Sequence, residues 1–320
     1  MITYNHESFI AKAIEGVLMQ QTTFNFELII SDDCSTDLTR KICEKYRHEH
    51  QQIINLILPN NNLGIIRNSI ETLCACSGKY IAICEGDDYW IDPFKLQKQV
   101  DFLEQNQNYG FVHTNYNVVN KNNTVINTYR RLKSKYYNTT DVFELILNRK
   151  YEIASLTVLF RKQLFLAFVE DLSHMNLKMT DLPMWLEFSK HSKVKYLNEI
   201  TANYRLLENS ASHFADILKT HEFDLNKLEI LSCFAKKYGV RVSMNKLRSK
   251  SFANILKACY LDGNKSLSRK FYANMIHSNV FAVFNPRPLL FLLGVHHVFF
   301  YQIIEKLKQS KYSVIRKHFL

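Results

Sequence analysis

The chain has no Cys-x-x-Cys pair. Its seven cysteines are scattered, at 34, 43, 74, 76, 84, 233 and 259, and no second pair accompanies Cys74 and Cys76 at metal-binding spacing. That argues against a disulfide framework and a structural zinc site, and reads as reduced thiols in a cytosolic compartment. Glycine (8) and proline (5) are scarce among 320 residues, which excludes collagen-like and low-complexity architectures. Disorder is excluded from the other side, because 22 Phe and 17 Tyr offer ample surface to bury. No basic stretch leads into an apolar core and cleavage site after Met1. No apolar run reaches the ~20 residues of a spanning helix. The longest candidate, Leu289 to Ile304, is broken by His296, His297 and Gln302, and as a helix would reach roughly 24 Å.

What is present is a chain of about two domains' length on the soft prior of one per ~150 residues. Its net charge of +11 is uneven. Residues 1–160 carry 16 Lys/Arg against 18 Asp/Glu, whereas residues 225–320 carry 17 against 3. A near-neutral front is thus followed by a strongly basic tail.

The front alternates two hydrophobic periods. Short apolar runs at Phe26–Ser31, Ile53–Leu58, Tyr80–Cys84 and Gly110–Val112 read as buried strands. Between them Phe9, Ile10, Ala13, Ile14, Val17 and Leu18 recur at helical spacing, as do Leu38, Ile42, Cys43 and Tyr46, then Ile66, Ile70, Leu73 and Cys74. Asn5 and Ser35 stand where helix N-caps are expected. This alternation predicts a parallel sheet covered on both faces. A first strand should precede Asn5, yet only four residues are there: either the strand is a stub or the native start lies upstream of Met1, and the second reading is favoured because a central strand without its body leaves ladder groups unpaired. Residues 115–137 read as polar with a turn at Asn120–Asn123, Ile153–Phe160 as a strand, Asp181 as the start of an amphipathic helix and Val194–Tyr204 as a strand. Beyond about residue 215 the pattern is helical and basic.

Two predicted strands end in paired carboxylates: Ser31-Asp32-Asp33-Cys34-Ser35-Thr36-Asp37 and Cys84-Glu85-Gly86-Asp87-Asp88-Tyr89-Trp90. In an open α/β sheet ligands sit beyond the carboxyl ends of strands. Crowded like charges need a cation or hydrogen-bond donors, and a hard divalent ion, Mg²⁺ or Mn²⁺, sharing the site with a diphosphate would serve. Solvated loop acids or helix caps are the plainer alternative.

The run Thr3-Tyr4-Asn5-His6, the segment Phe26 to Asp37, Asn62-Leu63-Gly64 to Asn68, and Gly78-Lys79-Tyr80-Ile81-Ala82 to Asp88 follow one another in order and spacing. Together they resemble the family 2 glycosyltransferases, inverting enzymes that use nucleotide sugars. The resemblance covers about residues 1–215. It implies an α/β GT-A (Rossmann-like) domain, a mostly parallel sheet flanked by helices, over 1–215, followed by a basic helical region over 216–320.

Site residues follow from the same resemblance. Tyr4 should lie against the nucleotide base, Asp33 accept a base N–H, Asp32 support that loop, and Arg67 meet ribose or phosphate. Glu85, where the family more often has Asp, should face the ribose. Asp87 and Asp88 fall at the metal-binding carboxylates, with no ranking between them. Tyr89 and Trp90 either floor the sugar pocket or pack. Asp181 sits where the family carries its catalytic base. By residue type alone Asp181, with Pro183 close behind, reads as a helix cap, and the two roles are compatible. Arg205 either neutralises diphosphate charge or forms a structural salt bridge. Many relatives carry a His two residues beyond it. Here that position is Leu207, and His213 is the candidate replacement.

These readings predict transfer of a sugar from a nucleotide diphosphate, UDP-linked, to a glycan or lipid-linked hydroxyl in bacterial surface-polysaccharide synthesis. The basic tail suits an anionic membrane surface better than nucleic acid, since no reading module accompanies the charge, and an ordinary solvated helical appendage is the plainer alternative. The expected place is the cytoplasm or the inner face of the membrane. A non-catalytic nucleotide-sugar-binding scaffold is the main alternative. A nucleotidyltransferase is a weaker one, because the chain lacks a Gly-rich, Lys-bearing phosphate loop.

Overall fold

The computed structural model describes residues 1–129, 134–207 and 216–278, with residues 289, 292, 293 and 295. The chain divides into two compact units, Met1–Leu207 and Glu208–Leu320.

The first unit begins β1 (Ile2–Thr3), α1 (Ile10–Leu18), β2 (Leu28–Asp32), α2 (Thr39–Glu49), β3 (Ile54–Ile57), α3 (Ile65–Ala75). It continues β4 (Tyr80–Ala82), β5 (Tyr89–Trp90), α4 (Lys95–Gln105), β6 (Tyr109–Val119) and β7 (Val125–Tyr129). Three short helices follow, α5 (Phe143–Leu147), then α6 (Lys162–Leu166) and α7 (Val169–His174), with β8 (Leu159–Arg161) before α6. The unit closes with α8 (Asp181–His191) and β9 (Lys193–Arg205).

Local pattern explains the early elements. All five residues of β2 are buried, as an apolar run in a sheet covered on both faces requires. In α1, Ile10, Ala13, Ile14 and Val17 form one buried stripe at helical spacing. Ile10, Ile14 and Val17 pack with Leu28, Ile30 and Ile54, and the same core takes in Val100, Leu103, Val112, Leu156 and Leu159. Each such burial contributes about 1.5–3 kcal/mol.

β1, β2 and β3 form a parallel sheet in that order, with Ile2 opposite Ser31 and Thr3 opposite Asp32. The second sheet runs β4-β8-β6-β9-β5, with β7 beside β6. Here β6 and β9 are parallel and the other pairs antiparallel. Parallel pairing thus holds in the first sheet and at the centre of the second.

Two elements depart from the sequence reading. β6 extends to Val119, well past Val112, because buried polar residues stand in for apolar ones. His113 bonds the Tyr151 hydroxyl at 2.8 Å and Thr114 bonds Thr201 at 2.6 Å. Satisfied in this way, polar side chains occupy a core face and hide the alternation. The predicted strand at 153–160 is mostly a tight turn at Ser155–Thr157, and the strand β8 begins only at Leu159.

The second unit contains α9 (Ile217–Lys237), α10 (Met244–Asp262) and α11 (Lys265–Ser278). Ile217, Phe252, Ile255, Leu256, Cys259 and Phe271 make its core. Gly263, at φ 69°, ends α10 in the left-handed conformation that closes many helices. Lys246, Lys250 and Lys257 are exposed, and their spacing puts them on one side of α10. Among the described residues no helix is long and apolar enough to cross a membrane.

Candidate active site

The site lies at the carboxyl ends of β1, β2 and β4. β1 is short, but it sits between the two acidic loops and joins them. The Asp33 amide donates to the Thr3 carbonyl at 3.0 Å, and the Gly86 amide to the Ile2 carbonyl at 3.0 Å. Gly86 is required there: a Cβ would lie 2.7 Å from Thr3 Oγ1 and 2.9 Å from His6 Nδ1. The strand therefore brings Tyr4, Asp33 and the Glu85–Asp88 segment to one place.

The first acidic loop is held by donors within the protein. Asp32 is fully buried. It accepts from the Ser35 hydroxyl and amide, and pairs with Arg40 Nε at 3.2 Å. Asp33 accepts the Leu63 amide at 2.6 Å and the Gly64 amide at 3.0 Å. Asn62 Nδ2 donates to the Asp33 carbonyl at 2.8 Å. The Asn62-Leu63-Gly64 turn is thereby fastened to Asp33. A carboxylate has about four acceptor positions, so Asp33 retains capacity for a further donor.

Asn5 and Ser35 are not helix caps. Phe9 precedes α1 and Leu38 precedes α2. Instead, Asn5 and Ser35 tie the two loops together: the Asn5 amide donates to Ser35 Oγ at 2.9 Å and the Thr36 amide to Asn5 Oδ1 at 2.8 Å. The His6 amide to Thr39, Glu7 amide to Asp37 and Leu38 amide to Glu7 complete the seam. Tyr4 projects beside this seam with 46% of its surface exposed.

The second acidic loop is poor in donors. Glu85 Oε2 is buried without a hydrogen-bond partner. Burial first, and then the charge of Asp87, push the Glu85 carboxyl up to about 7. The charge of Asp181 raises it further. Asp88 is raised well above the usual carboxylate range by burial and by its neighbours Asp87 and Glu85. Its Oδ1 accepts the Arg205 amide at 2.6 Å. Asp87 is half-buried. Among the described residues, no Lys or Arg side chain forms an ion pair with these three carboxylates.

Asp181 is the first residue of α8. Its Oδ1 accepts the Leu182 amide at 2.8 Å, and Ser155 Oγ approaches Oδ2 at 3.5 Å. The preceding Thr180 meets Ser69 of α3 at 3.2 Å. Ser155 carried no sequence signal, because only the tertiary turn brings it to α8.

Three further residues make their contacts within the protein. Arg67 is exposed on α3 and pairs with Glu71 at 2.6 Å. Trp90 packs in the core, its indole N–H donating to the Leu156 carbonyl at 2.8 Å and Lys95 Nζ lying 4.2 Å over its ring. Arg205 has its donors on backbone and Asn123 oxygens and is almost fully buried, so its partners are neutral oxygens rather than the carboxylate of a side-chain salt bridge. His213 lies outside the described residues.

Could these residues hold a divalent cation? Among the described residues no three His, Cys, Asp or Glu side chains converge on one point, so there is no all-protein cage. A cation shared with a diphosphate needs only one or two carboxylates. The buried, unpartnered Glu85 oxygen and the uncompensated acids beside it are the expected surroundings for such a cation, so the residues fit. Asp87 is the freer ligand, since one Asp88 oxygen already has a donor.

The fold of this site is also found in solved structures. Staphylococcus aureus TarS, residues 1–349 in complex with UDP-GlcNAc, superposes with a TM-score of 0.54 at 17% identity, covering 92% of this chain and 88% of that one. The architecture is that of the GT-A glycosyltransferases. The chain belongs to glycosyl transferase family 2, whose model matches residues 1–165. An uncharacterized Mycobacterium tuberculosis protein is 45% identical over 105 residues, 33% of this chain. The match spans only 30% of that relative's length. Escherichia coli WfgD, a UDP-Glc:alpha-D-GlcNAc-diphosphoundecaprenol beta-1,3-glucosyltransferase, is 29% identical over 214 residues, 66% of this chain and 78% of WfgD.

Proposed function

We propose that this protein is an inverting glycosyltransferase. It moves a sugar from a nucleotide diphosphate, UDP-linked, to a hydroxyl of a glycan or lipid-linked acceptor during surface-polysaccharide synthesis. One observation carries the reading: β1 draws a donor-satisfied loop and a donor-starved acidic loop to one place through the Asp33–Thr3 and Gly86–Ile2 hydrogen bonds. The activity of WfgD, with a UDP-linked donor and a diphosphoundecaprenol-linked acceptor, supports the choice of donor and acceptor class.

On this reading the exposed Tyr4 ring stacks on the base, a use suited to an apolar face with a polar tip. Asp33, oriented by the Leu63 and Gly64 amides, accepts a base N–H, and Asp32 holds the loop. Glu85 faces the ribose. Asp87, with Asp88 beside it, would hold Mn²⁺ or Mg²⁺, which when bound would offset the charge of the diphosphate. Asp181 accepts the proton of the attacking hydroxyl. Such a positioned base typically contributes ~10²–10⁴ in rate, and Ser155 and the Leu182 amide keep its carboxylate in place. Inversion follows from one displacement, with the acceptor opposite the leaving diphosphate, as in inverting hydrolysis.

On the same reading the basic helices would hold the enzyme at an anionic membrane surface on the cytoplasmic side. Each Lys or Arg near such a surface is worth ~1 kcal/mol, so Lys246, Lys250 and Lys257 together matter. Changing these three to Glu should release the full chain from phosphatidylglycerol vesicles, and unchanged binding removes the membrane role.

A thermal-shift panel of nucleotide sugars with and without Mn²⁺ tests the main reading. A metal-dependent shift with a UDP-sugar, followed by UDP release, is expected. Binding without turnover for every donor and acceptor tried would favour the scaffold instead.

A further inference from the structure

Arg205 ends β9 and is among the largest fully buried side chains. A guanidinium has five N–H donors. Here Nε donates to the Asp87 carbonyl at 2.8 Å, Nη1 to the carbonyls of Asn120 and Lys121 at 3.2 and 3.3 Å, and Nη2 to Asn123 Oδ1 at 2.8 Å. Its plane lies 4.5 Å from the Phe9 ring at the start of α1 and 5.4 Å from the Tyr89 ring. Four of the five donors and the face are thus engaged within the protein.

The choice of partners is informative. The side chain takes the backbone carbonyl of Asp87 and leaves its carboxylate alone. The main-chain amide of Arg205, not its guanidinium, takes the Asp88 carboxylate. A direct ion pair would compete with any cation brought to the loop. Contact through the carbonyl fixes the loop and keeps the Asp87 charge available. The β6–β7 turn is shaped to match. Asn120 Oδ1 accepts the Asn122 and Thr124 amides, and Asn123 sits at φ 63°, so the turn offers two carbonyls and a carboxamide to one fork. Lysine, with three donors at a single point, cannot reproduce that geometry.

We propose that Arg205 is the positioning residue of the acidic loop, clamping the Asp87 backbone to the 120–123 turn and to the start of α1 so that the Asp87 carboxylate meets the donor's diphosphate in one fixed orientation. This rests on the glycosyltransferase reading for the identity of the diphosphate, but not for the clamp.

Two full-length variants test it. Arg205→Lys keeps the charge and loses the fork. Asn123→Gly tolerates the left-handed backbone, removes one acceptor from an exposed turn, and is expected to fold normally. Hydrogen exchange without ligand should rise in the amides of 85–88 and of 120–124 together in both variants, more in Arg205→Lys, with 28–32 unchanged. Supporting residues around metal ligands are typically worth about 10–100-fold in affinity or activity. Arg205→Lys should therefore weaken Mn²⁺-dependent UDP binding in that range and leave UMP binding as in the wild type. Unchanged exchange at 85–88 in Arg205→Lys overturns the clamp. Equal weakening of UMP and UDP marks general structural support and overturns the positioning role. Weaker UDP binding in the absence of metal marks a direct phosphate contact and also overturns it. A wild type that binds no UDP removes the donor reading alone, and the exchange result still decides the clamp.

Discussion

The two acidic loops have similar sequences and opposite electrostatics. Asp32, Asp33 and Asp37 each accept hydrogen bonds from nearby hydroxyls or amides, and Asp37 is held below the usual carboxylate range, its hydrogen bonds from Thr39 and Glu7 outweighing partial burial. Glu85 and Asp88 are pushed upward by burial first and then by the charge of Asp87. Hydrogen bonds to a carboxylate favour its charged form, whereas burial beside like charges opposes it. One loop is therefore a finished piece of architecture, and the other is short of positive charge. On the proposed reading it is the second that takes a cation and diphosphate.

Breaking each side of this contrast should give different losses. The largest is expected from Asp181→Asn, which removes the proposed base: transfer should fall ~10²–10⁴-fold in an assay of UDP release with acceptor, while donor binding persists. Next, Asp87→Asn should abolish the metal-dependent part of the UDP thermal shift at nearly unchanged melting temperature. Asp32→Asn should do the reverse. It leaves Arg40 and Ser35 around an uncharged group, and losing such a buried charged partner costs about 1–3 kcal/mol, readable in urea unfolding, with metal dependence intact. If Asp32→Asn also removed the metal response, the contrast between the loops would fail. Lys95 sharpens the picture from the core. Burial lowers its pKa to about 7, so between pH 7 and its ordinary pKa the unfolded chain binds more protons. Stability from this group therefore rises with pH across that window, and Lys95→Met should flatten the rise in denaturant midpoint. The smallest effect is expected from Arg67→Ala. Its exposed pair with Glu71 is an i,i+4 contact worth about 0.3–0.5 kcal/mol, and titration with UDP should be unchanged.

The fold was legible where burial is uniform. The apolar run of β2 and the stripes of α1 and α2 declare themselves, and so do the helix beginning at Asp181 and the strand ending near Arg205. It was illegible where polar residues are buried with partners far along the chain. His113 finds Tyr151 and Thr114 finds Thr201, and no local pattern announces a partner 38 or 87 residues away. The same limit governs the site. Spacing identifies both pairs of acids, yet whether a carboxylate is already satisfied depends on amides at Leu63 and Gly64, on Arg40, and on the absence of such groups around Glu85.

By itself, the order of residues determined the α/β class, the two acidic strand ends, the helix start at Asp181 and the basic tail, because each depends on neighbours within a few turns of the chain. Tertiary structure alone decided that Asp87 is freer than Asp88, that Trp90 belongs to the core, that Arg67 faces solvent and that Arg205 binds protein oxygens. Hydrogen bonds and desolvation are set by what surrounds an atom in space, and sequence records only what precedes and follows it.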